Sequence, residues 1–358
     1  MNRRIDIQTI TCSASIVAWC ILHNRGRYVW SLLRHLTRYP GETSMTATLP
    51  VLESTQRVVE RSRHVTINTD AAREMLVKGI VNDSWYPDFH LDDPDWIFVL
   101  DALNFCFWEE PGSPKWSITY GGEQLSGYWA LAASLKRAVE EGIPLTNAEF
   151  LATISSKVVE KIFRGVQRIP LFQKRVNNLR EVGTILLEQY DGTFVNVLQK
   201  ANGSAVQLVQ EVVSHFPSFN DIATYDGETV YIYKRAQLLA ADLFGAFEGE
   251  GYGEFFDLDQ LTIFADYKLP QVLRHYHVLE YDKHLSDMVD NYIQCLPGGR
   301  EEVEIRSATI QAVEIMRQSL TNGNSSIPAF KLDWWLWTLG QNDSVREKPY
   351  HRTRTMFY

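Results

Sequence analysis

The sequence predicts a mainly α protein, a single helical domain that carries one or two small β-hairpins. Three observations support this. After Pro50, apolar residues recur every three or four positions over long stretches. Two short polar–apolar alternations are broken by turn dipeptides. Nowhere do strand-like and helix-like segments alternate in the βαβ manner that a doubly wound sheet requires. No internal repeat or low-complexity linker interrupts the chain, so one domain is expected over 45–358. A chain of 358 residues buries a core large enough to need neither disulfides nor metals.

In chain order, a helix is expected near 70–80. Trp116-Ser117-Ile118-Thr119-Tyr120, then Gly121-Gly122 and a second polar–apolar stretch, predict a hairpin. The spacing of Tyr128, Leu131, Ala132, Leu135, Ala138 and Val139 predicts a helix over 127–142. Arg137, Glu140 and Glu141 fall off that stripe, and Gly142 with Pro144 supplies the stop. Val176, Leu179, Val182, Leu186 and Tyr190 predict a helix over 171–190, ended by Asp191-Gly192. Another helix is expected at 204–216. A second hairpin turns at Asp226-Gly227 between Thr224 and Tyr233. Further helices are expected at 234–247, 301–320 and 329–340.

Composition limits the function. Lys and Arg number 35 against 44 Asp and Glu, a formal charge of −9, which argues against a protein that neutralises the phosphates of duplex DNA. Hydrophobic residues at 45% and charged residues at 22% exclude collagen, coiled coil and wholesale disorder. Cys12, Cys20, Cys106 and Cys295 form no CxxC pair and have no His at metal-finger spacing, so reduced thiols in an intracellular protein are expected. HExxH, Walker and dinucleotide-binding motifs are missing, and no apolar run reaches the roughly 20 residues of a membrane span. Residues 1–44 differ from the rest. They hold six Arg against Asp6 and Glu42, a charge of +4 that leaves −13 for the remainder, and include the apolar stretch Ser15–Leu22. A mitochondrial presequence, a signal-peptide core and an extension upstream of a start at Met45 all fit this segment.

Three clusters are candidates for chemistry. In Leu261–Arg274 an acid, Asp266, follows an apolar run, and helical spacing resumes after Pro270. Asp266 either caps that helix, worth about 1 kcal/mol, or serves a ligand. In Asp95–Trp108, Asp101 and Asn104 interrupt an aromatic-rich apolar run one helical turn apart. A buried polar pair needs partners, either backbone groups or the edge of a ligand. In Lys331-Leu332-Asp333-Trp334-Trp335-Leu336-Trp337, three Trp in four residues cannot share one helical face, so at least one is expected at a groove, a partner or solvent. His351, Arg352 and Arg354 follow in a basic element that suits either one phosphate or a solvated tail. Aromatic walls, carboxylates and a small basic element together point to a small phosphorylated heterocycle rather than a polymer.

On these residues the chain resembles the queuosine salvage family of queuosine 5′-phosphate N-glycosylase/hydrolases. The matching segments are WIFVLDALNFCFW, YGGEQLSGYWALAASLKRAVEEGIP, YKRAQLLAADL, LTIFADYKLPQVL, EVEIR, LDWWLW and PYHRTR. They run from about residue 50 to the C-terminus. The resemblance implies hydrolysis of queuosine 5′-monophosphate to queuine and ribose 5-phosphate, for reinsertion of queuine into tRNA. It also implies a fold similar to helix-hairpin-helix DNA glycosylases, with a catalytic Asp before a helix, the place of Asp266. Candidate base contacts and walls are then Asp101, Asn104, Phe105, Trp108, Tyr267, Asp333, Trp334 and Trp335, candidate phosphate contacts are Arg306, His351 and Arg352, and Lys268 is a further substrate-binding candidate. No cofactor or metal, no duplex nucleic acid and no membrane is expected for the core domain. The cytoplasm is the expected compartment unless residues 1–44 direct the chain to mitochondria. Two rival functions stay open: a DNA base-excision glycosylase and a non-catalytic helical interaction module.

Overall fold

The computed structural model describes residues 48–77, 91–320 and 327–358. The segment 1–44 lies outside the described residues. The order begins α1 (Val51–Glu60), β1 (Val65–Ile67), α2 (Thr69–Val77) and α3 (Pro94–Ala102). The hairpin β2 (Ser117–Tyr120)–β3 (Glu123–Ser126) leads straight into α4 (Gly127–Glu140). Next come α5 (Ala148–Thr153), α6 (Ser156–Ile162), α7 (Phe172–Gln189), α8 (Val195–Ala201) and α9 (Ala205–His215). A second hairpin, β4 (Ile222–Tyr225)–β5 (Glu228–Tyr231), delivers α10 (Lys234–Ala246). The remainder is α11 (Lys268–His275), β6 (Leu279–Tyr281), α12 (Lys283–Asp290), α13 (Arg300–Leu320), α14 (Ala329–Leu339) and α15 (Asp343–Arg346).

The chain is mainly helical, and both expected hairpins form. Their turns use consecutive left-handed residues, Gly121-Gly122 (φ +61°, +86°) and Asp226-Gly227 (φ +48°, +83°), which match the twist of paired strands. A third pair, antiparallel β1–β6 with Val65 opposite Tyr281, was not foreseen. Three-residue strands so far apart in sequence leave no periodic signal. Several helices that composition alone did not mark are opened by side-chain caps: Asp93 accepts from Asp95 N and Trp96 N, Asn147 from Phe150 N, Ser155 from Val158 N. Each such cap contributes about 1 kcal/mol.

Helix α3 is buried on every face from Trp96 to Ala102, which is why its sequence shows no amphipathic stripe. Phe98 stacks on Phe194 at 4.2 Å and on Phe219 at 5.3 Å, tying α3 to the helices around it. Helix α7 buries the predicted Val176, Leu179, Val182 and Leu186. Gly183 interrupts this stripe because α5 crosses there. A Cβ at Gly183 would stand 2.2 Å from Ala152 N and 2.6 Å from Ala148 O. Among the described residues, no helix is long and apolar enough to cross a membrane.

Candidate active site

A cavity of about 410 Å³ opens between α4, α10, α11 and α14, the 104–107 loop and the last ten residues. Its size is in the range of small-molecule sites, about 300–1,000 Å³. One side is the stripe Lys234, Leu238 and Asp242, at i, i+4 and i+8 along α10. Tyr128 and Trp129 from the start of α4 meet Trp337 of α14 edge-on, at 6.3 and 6.2 Å between centroids. Phe105, Phe107, Phe264, Tyr267, Tyr292, Trp334, Tyr350 and Tyr358 complete the aromatic lining.

Asp266 lies on this cavity, half-buried, immediately before α11. Its Oδ1 accepts the N–H groups of Lys268 at 2.7 Å and Leu269 at 3.1 Å, so it does cap the helix. The cap uses only one oxygen and fixes the carboxylate, so capping and catalysis are compatible. Helix α11 starts at Lys268, with Pro270 in its first turn, where a missing N–H costs nothing. The irregular segment before Asp266 is clamped at three points. Gln237 Oε1 accepts from Thr262 N at 2.8 Å, Asp333 Oδ1 accepts from Phe264 N at 2.8 Å, and Arg306 Nε donates to Ala265 O at 3.0 Å. Buried chain without secondary structure is satisfied by side chains here, and the catalytic candidate is held in place by them.

The opposite wall is anchored in the same way. Helix α3 ends with carbonyls that have no helical partner. Arg235 donates to Asp101 O at 2.8 Å, Asn178 to Ala102 O at 2.9 Å, and Arg175 to the carbonyls of Leu103, Phe105 and Cys106. Arg175 and Arg235 are fully buried, and cations at a helix C-terminus are favourably placed. Together they fix Asn104, Phe105 and Cys106 on the cavity edge. Cys106, at φ +42°, also donates its N–H to Tyr358 O at 2.9 Å.

The cavity is electrically divided. In its interior Lys234 stands near Asp266, Asp101 and Asp333, and burial lowers the pKa of its ammonium in spite of them. Burial raises Asp333 well above the carboxylate range, and the nearby Asp266 adds to the effect. Burial also lifts Asp101, to about 7, and Asp242 rises with it. On the other side, Lys268 is pushed down to about 8, first by burial and then by the charges of Arg346 and Lys115. All three of these cations line the cavity. Asp266 is an electrostatic neighbour of both groups, of Lys234 in one and Lys268 in the other.

Of the residues singled out from sequence, Asp266, Asn104, Phe105, Tyr267, Lys268, Asp333, Trp334 and Arg352 line the cavity. Buried Nε and Nη1 atoms of Arg352 have no hydrogen-bond partner among the described residues. Five others do not line it. Arg306, expected at the phosphate, is committed to Asp221 at 2.6 and 2.9 Å and to the Ala265 carbonyl. His351 is buried against Tyr358, with Nε2 3.2 Å from its hydroxyl, and burial pushes its pKa down to about 3, so it carries no charge for a phosphate. Trp108 packs under Arg354, at 4.1 Å, in a small cluster with Phe105, Cys106, Tyr267 and Tyr358. Trp335 packs into the core, while Trp334 and Trp337 face the cavity, so two of the three tryptophans sit at the groove. Asp101 lies behind the wall, one residue before the end of α3, and Asn104 Nδ2 reaches its Oδ1 at 3.5 Å.

Sequence reasoning missed Lys234, Asp242, Tyr128, Trp129, Lys115 and Arg346. The first two carried a signal, charged residues on an otherwise apolar helical stripe through Leu238. Lys115 and Arg346 carried none, because a loop residue and the last residue of the short helix α15 are brought together only by folding. Among the described residues, no three His, Cys, Asp or Glu side chains are grouped to hold a metal ion.

The profile of a family described as queuosine salvage protein matches residues 89–358. A queuosine 5′-phosphate N-glycosylase/hydrolase of Sphaerobacter thermophilus is 47% identical over 319 residues, covering 87% of this chain and 98% of its own. Proteins of the same name from Mus musculus and Dictyostelium discoideum are 37% and 34% identical, each match covering 86% of this chain and 98% of the relative.

Proposed function

The chain belongs to the queuosine salvage protein family, and from that premise we infer that it hydrolyses the N-glycosidic bond of queuosine 5′-monophosphate, releasing queuine and ribose 5-phosphate. It is an N-glycosyl hydrolase acting on a small nucleotide. The observation that supports this most is the position of Asp266, between a cationic and an acidic half of one aromatic-walled cavity. A nucleotide laid along that axis puts its phosphate near Lys268, Arg346, Lys115 and Arg352, its base among the aromatic rings and acids, and its ribose at Asp266.

Cleavage from C1′ to the base nitrogen leaves positive charge on the ribose, in an oxocarbenium-like transition state. A fixed carboxylate beside C1′ stabilises that charge more than it stabilises the neutral ground state, which is the condition for catalysis. The two backbone N–H groups on Oδ1 hold Asp266 in one orientation before substrate arrives. Lys234 balances the acids around it, and the aromatic walls exclude water from a base that stacks on them. Binding energy from the phosphate positions the scissile bond. The family resemblance implies an architecture similar to the helix-hairpin-helix DNA glycosylases, and a mainly helical chain with an acid just before a helix is what supports that reading. A chain with a charge of −13 outside residues 1–44 is poorly suited to duplex DNA. We place the enzyme in the cytoplasm, with residues 1–44 as a candidate mitochondrial address.

The test is release of queuine from queuosine 5′-monophosphate and from the unphosphorylated nucleoside by purified protein. Rapid turnover of the nucleotide and poor turnover of the nucleoside are expected. Equal kcat/KM on the two would overturn the phosphate assignment, and tight duplex binding at low salt with no queuine release would favour a DNA glycosylase.

A further inference from the structure

Helix α10 starts under strain. Tyr233, directly before it, is left-handed at φ +53°, a conformation that costs a bulky residue energy, and its side chain does not cap the helix. Such a residue persists only where its surroundings over-determine it. One buried residue does so here, Asp221 at the foot of the β4–β5 hairpin. Its carbonyl accepts the N–H groups of Ile232 and Tyr233, each at 3.1 Å, and its Oδ2 accepts that of Lys234 at 3.2 Å. Lys234, the first residue of α10 and part of the cavity lining, is thereby fixed in place.

The same carboxylate reaches the other half of the site. Arg306 of α13 grips it with both Nη atoms, at 2.9 Å to Oδ1 and 2.6 Å to Oδ2, the two-pronged geometry that a planar guanidinium fits to a carboxylate. Its Nε is left to donate to the carbonyl of Ala265 at 3.0 Å, one residue before Asp266. The guanidinium also lies 4.1 Å from the ring centre of Tyr358, which lines the cavity. Both side chains of the pair are only 3% exposed, and they stand behind the cavity rather than on it. A buried ion pair gains little stability over apolar packing of the same volume. What this pair supplies is geometry, because one carboxylate and one guanidinium tie together the chain on either side of the reacting groups.

Resting on the hydrolase reading above, we propose that Asp221 and Arg306 are positioning residues for the reaction, a single buried ion pair that sets Lys234 and Asp266 relative to each other. Asp221 acts on Lys234 through the first N–H of α10. Arg306 acts on Asp266 through the Ala265 carbonyl. Neither touches the substrate. Their effect on rate is large because a charged group misplaced by about 1 Å can forfeit on the order of a hundredfold.

The experiment is a set of double-mutant cycles on queuosine 5′-monophosphate. Arg306→Lys keeps a charge opposite Asp221 but cannot hold Asp221 and the Ala265 carbonyl at once. It should lower kcat by at least about tenfold and change KM by less than about threefold. In an Asp266→Asn background the charge that Arg306 places is gone, and the same change should cost less than about threefold. Asp221→Asn releases both groups, so its loss of kcat should shrink in Asp266→Asn and in Lys234→Met alike. A pair that only held the fold together would lower the active fraction by the same factor in every background. Equal losses across backgrounds, or full kcat in Arg306→Lys, would overturn the proposal, and Arg306→Lys decides the matter if Asp221→Asn does not fold. Amide hydrogen exchange reads the same positioning without turnover. Exchange at Lys268 and Leu269, whose N–H groups Asp266 accepts, should quicken at least about tenfold in Arg306→Lys while the β2–β3 hairpin stays as it was. Unchanged exchange at those two amides would refute positioning, whereas failure of the wild type to release queuine would overturn only the hydrolase reading.

Discussion

Replacing Asp266 by Asn separates its two roles. The amide keeps an oxygen in the place of Oδ1, where Lys268 N donates at 2.7 Å and Leu269 N at 3.1 Å, so the α11 cap survives. Asp and Asn cap helices about equally well, and the stability change should stay below about 1 kcal/mol. The charge is lost. A carboxylate about 4 Å from a ribosyl cation, at an effective dielectric of about 20, is worth about 4 kcal/mol. That corresponds to roughly a thousandfold in rate before any discount for ground-state binding. Queuine release by chromatography under saturating substrate, with thermal melting in parallel, measures both quantities. Asp266→Ala should add the lost cap to the same catalytic defect, lowering stability by about a further 1 kcal/mol. An Asn variant that turns over within tenfold of wild type would refute the electrostatic argument, whatever its melting temperature.

Other predictions concern the surroundings. Lys234→Met removes the ammonium that stands among Asp266, Asp101 and Asp333, and steady-state assays should show at least about a hundredfold loss of kcat. Lys268, with a pKa lowered to about 8, is charged below that pH and neutral above it. KM for the nucleotide should therefore rise above about pH 8, and this rise should vanish in Lys268→Gln, as initial-rate measurements across pH will show. Arg175→Met strips the donor from four carbonyls, those of Leu103, Phe105, Cys106 and Pro170, and should cost about 3–5 kcal/mol in chemical denaturation. Gly183→Ala drives a methyl into the backbone of α5, and a loss of about 3 kcal/mol is expected in the same assay.

What the sequence disclosed follows the range of the forces involved. Helices such as α4 and α7 were legible because a half-buried helix must repeat its apolar residues with the helical period. The hairpins were legible because left-handed turn residues leave a Gly-Gly or Asp-Gly mark. The full burial of α3 was hidden, since a helix apolar on every side carries no phase. For the site, local chemistry was readable and long-range chemistry was not. Asp266 stood out because an acid before a helix start is a local pattern. Arg306 and His351 looked like phosphate ligands by residue type. The Arg306 charge is taken up by Asp221 and the His351 Nε2 by Tyr358, contacts that span 85 and seven residues respectively. The cationic side of the cavity joins Lys115, Lys268 and Arg346, and no window along the chain contains all three.

The wall built by the final residues has an implication for ligand response. Tyr350, Arg352 and Tyr358 line the cavity. Their irregular segment is joined to the rest of the chain by main-chain bonds that include Cys106 N to Tyr358 O and Cys295 N to Arg352 O. A ligand that contacts this wall binds the docked segment preferentially, so occupancy and docking of the segment are thermodynamically linked. Substrate or product bound there will slow deuterium uptake along 350–358 more than in the remote hairpins, making this short stretch a built-in reporter of whether the site is loaded.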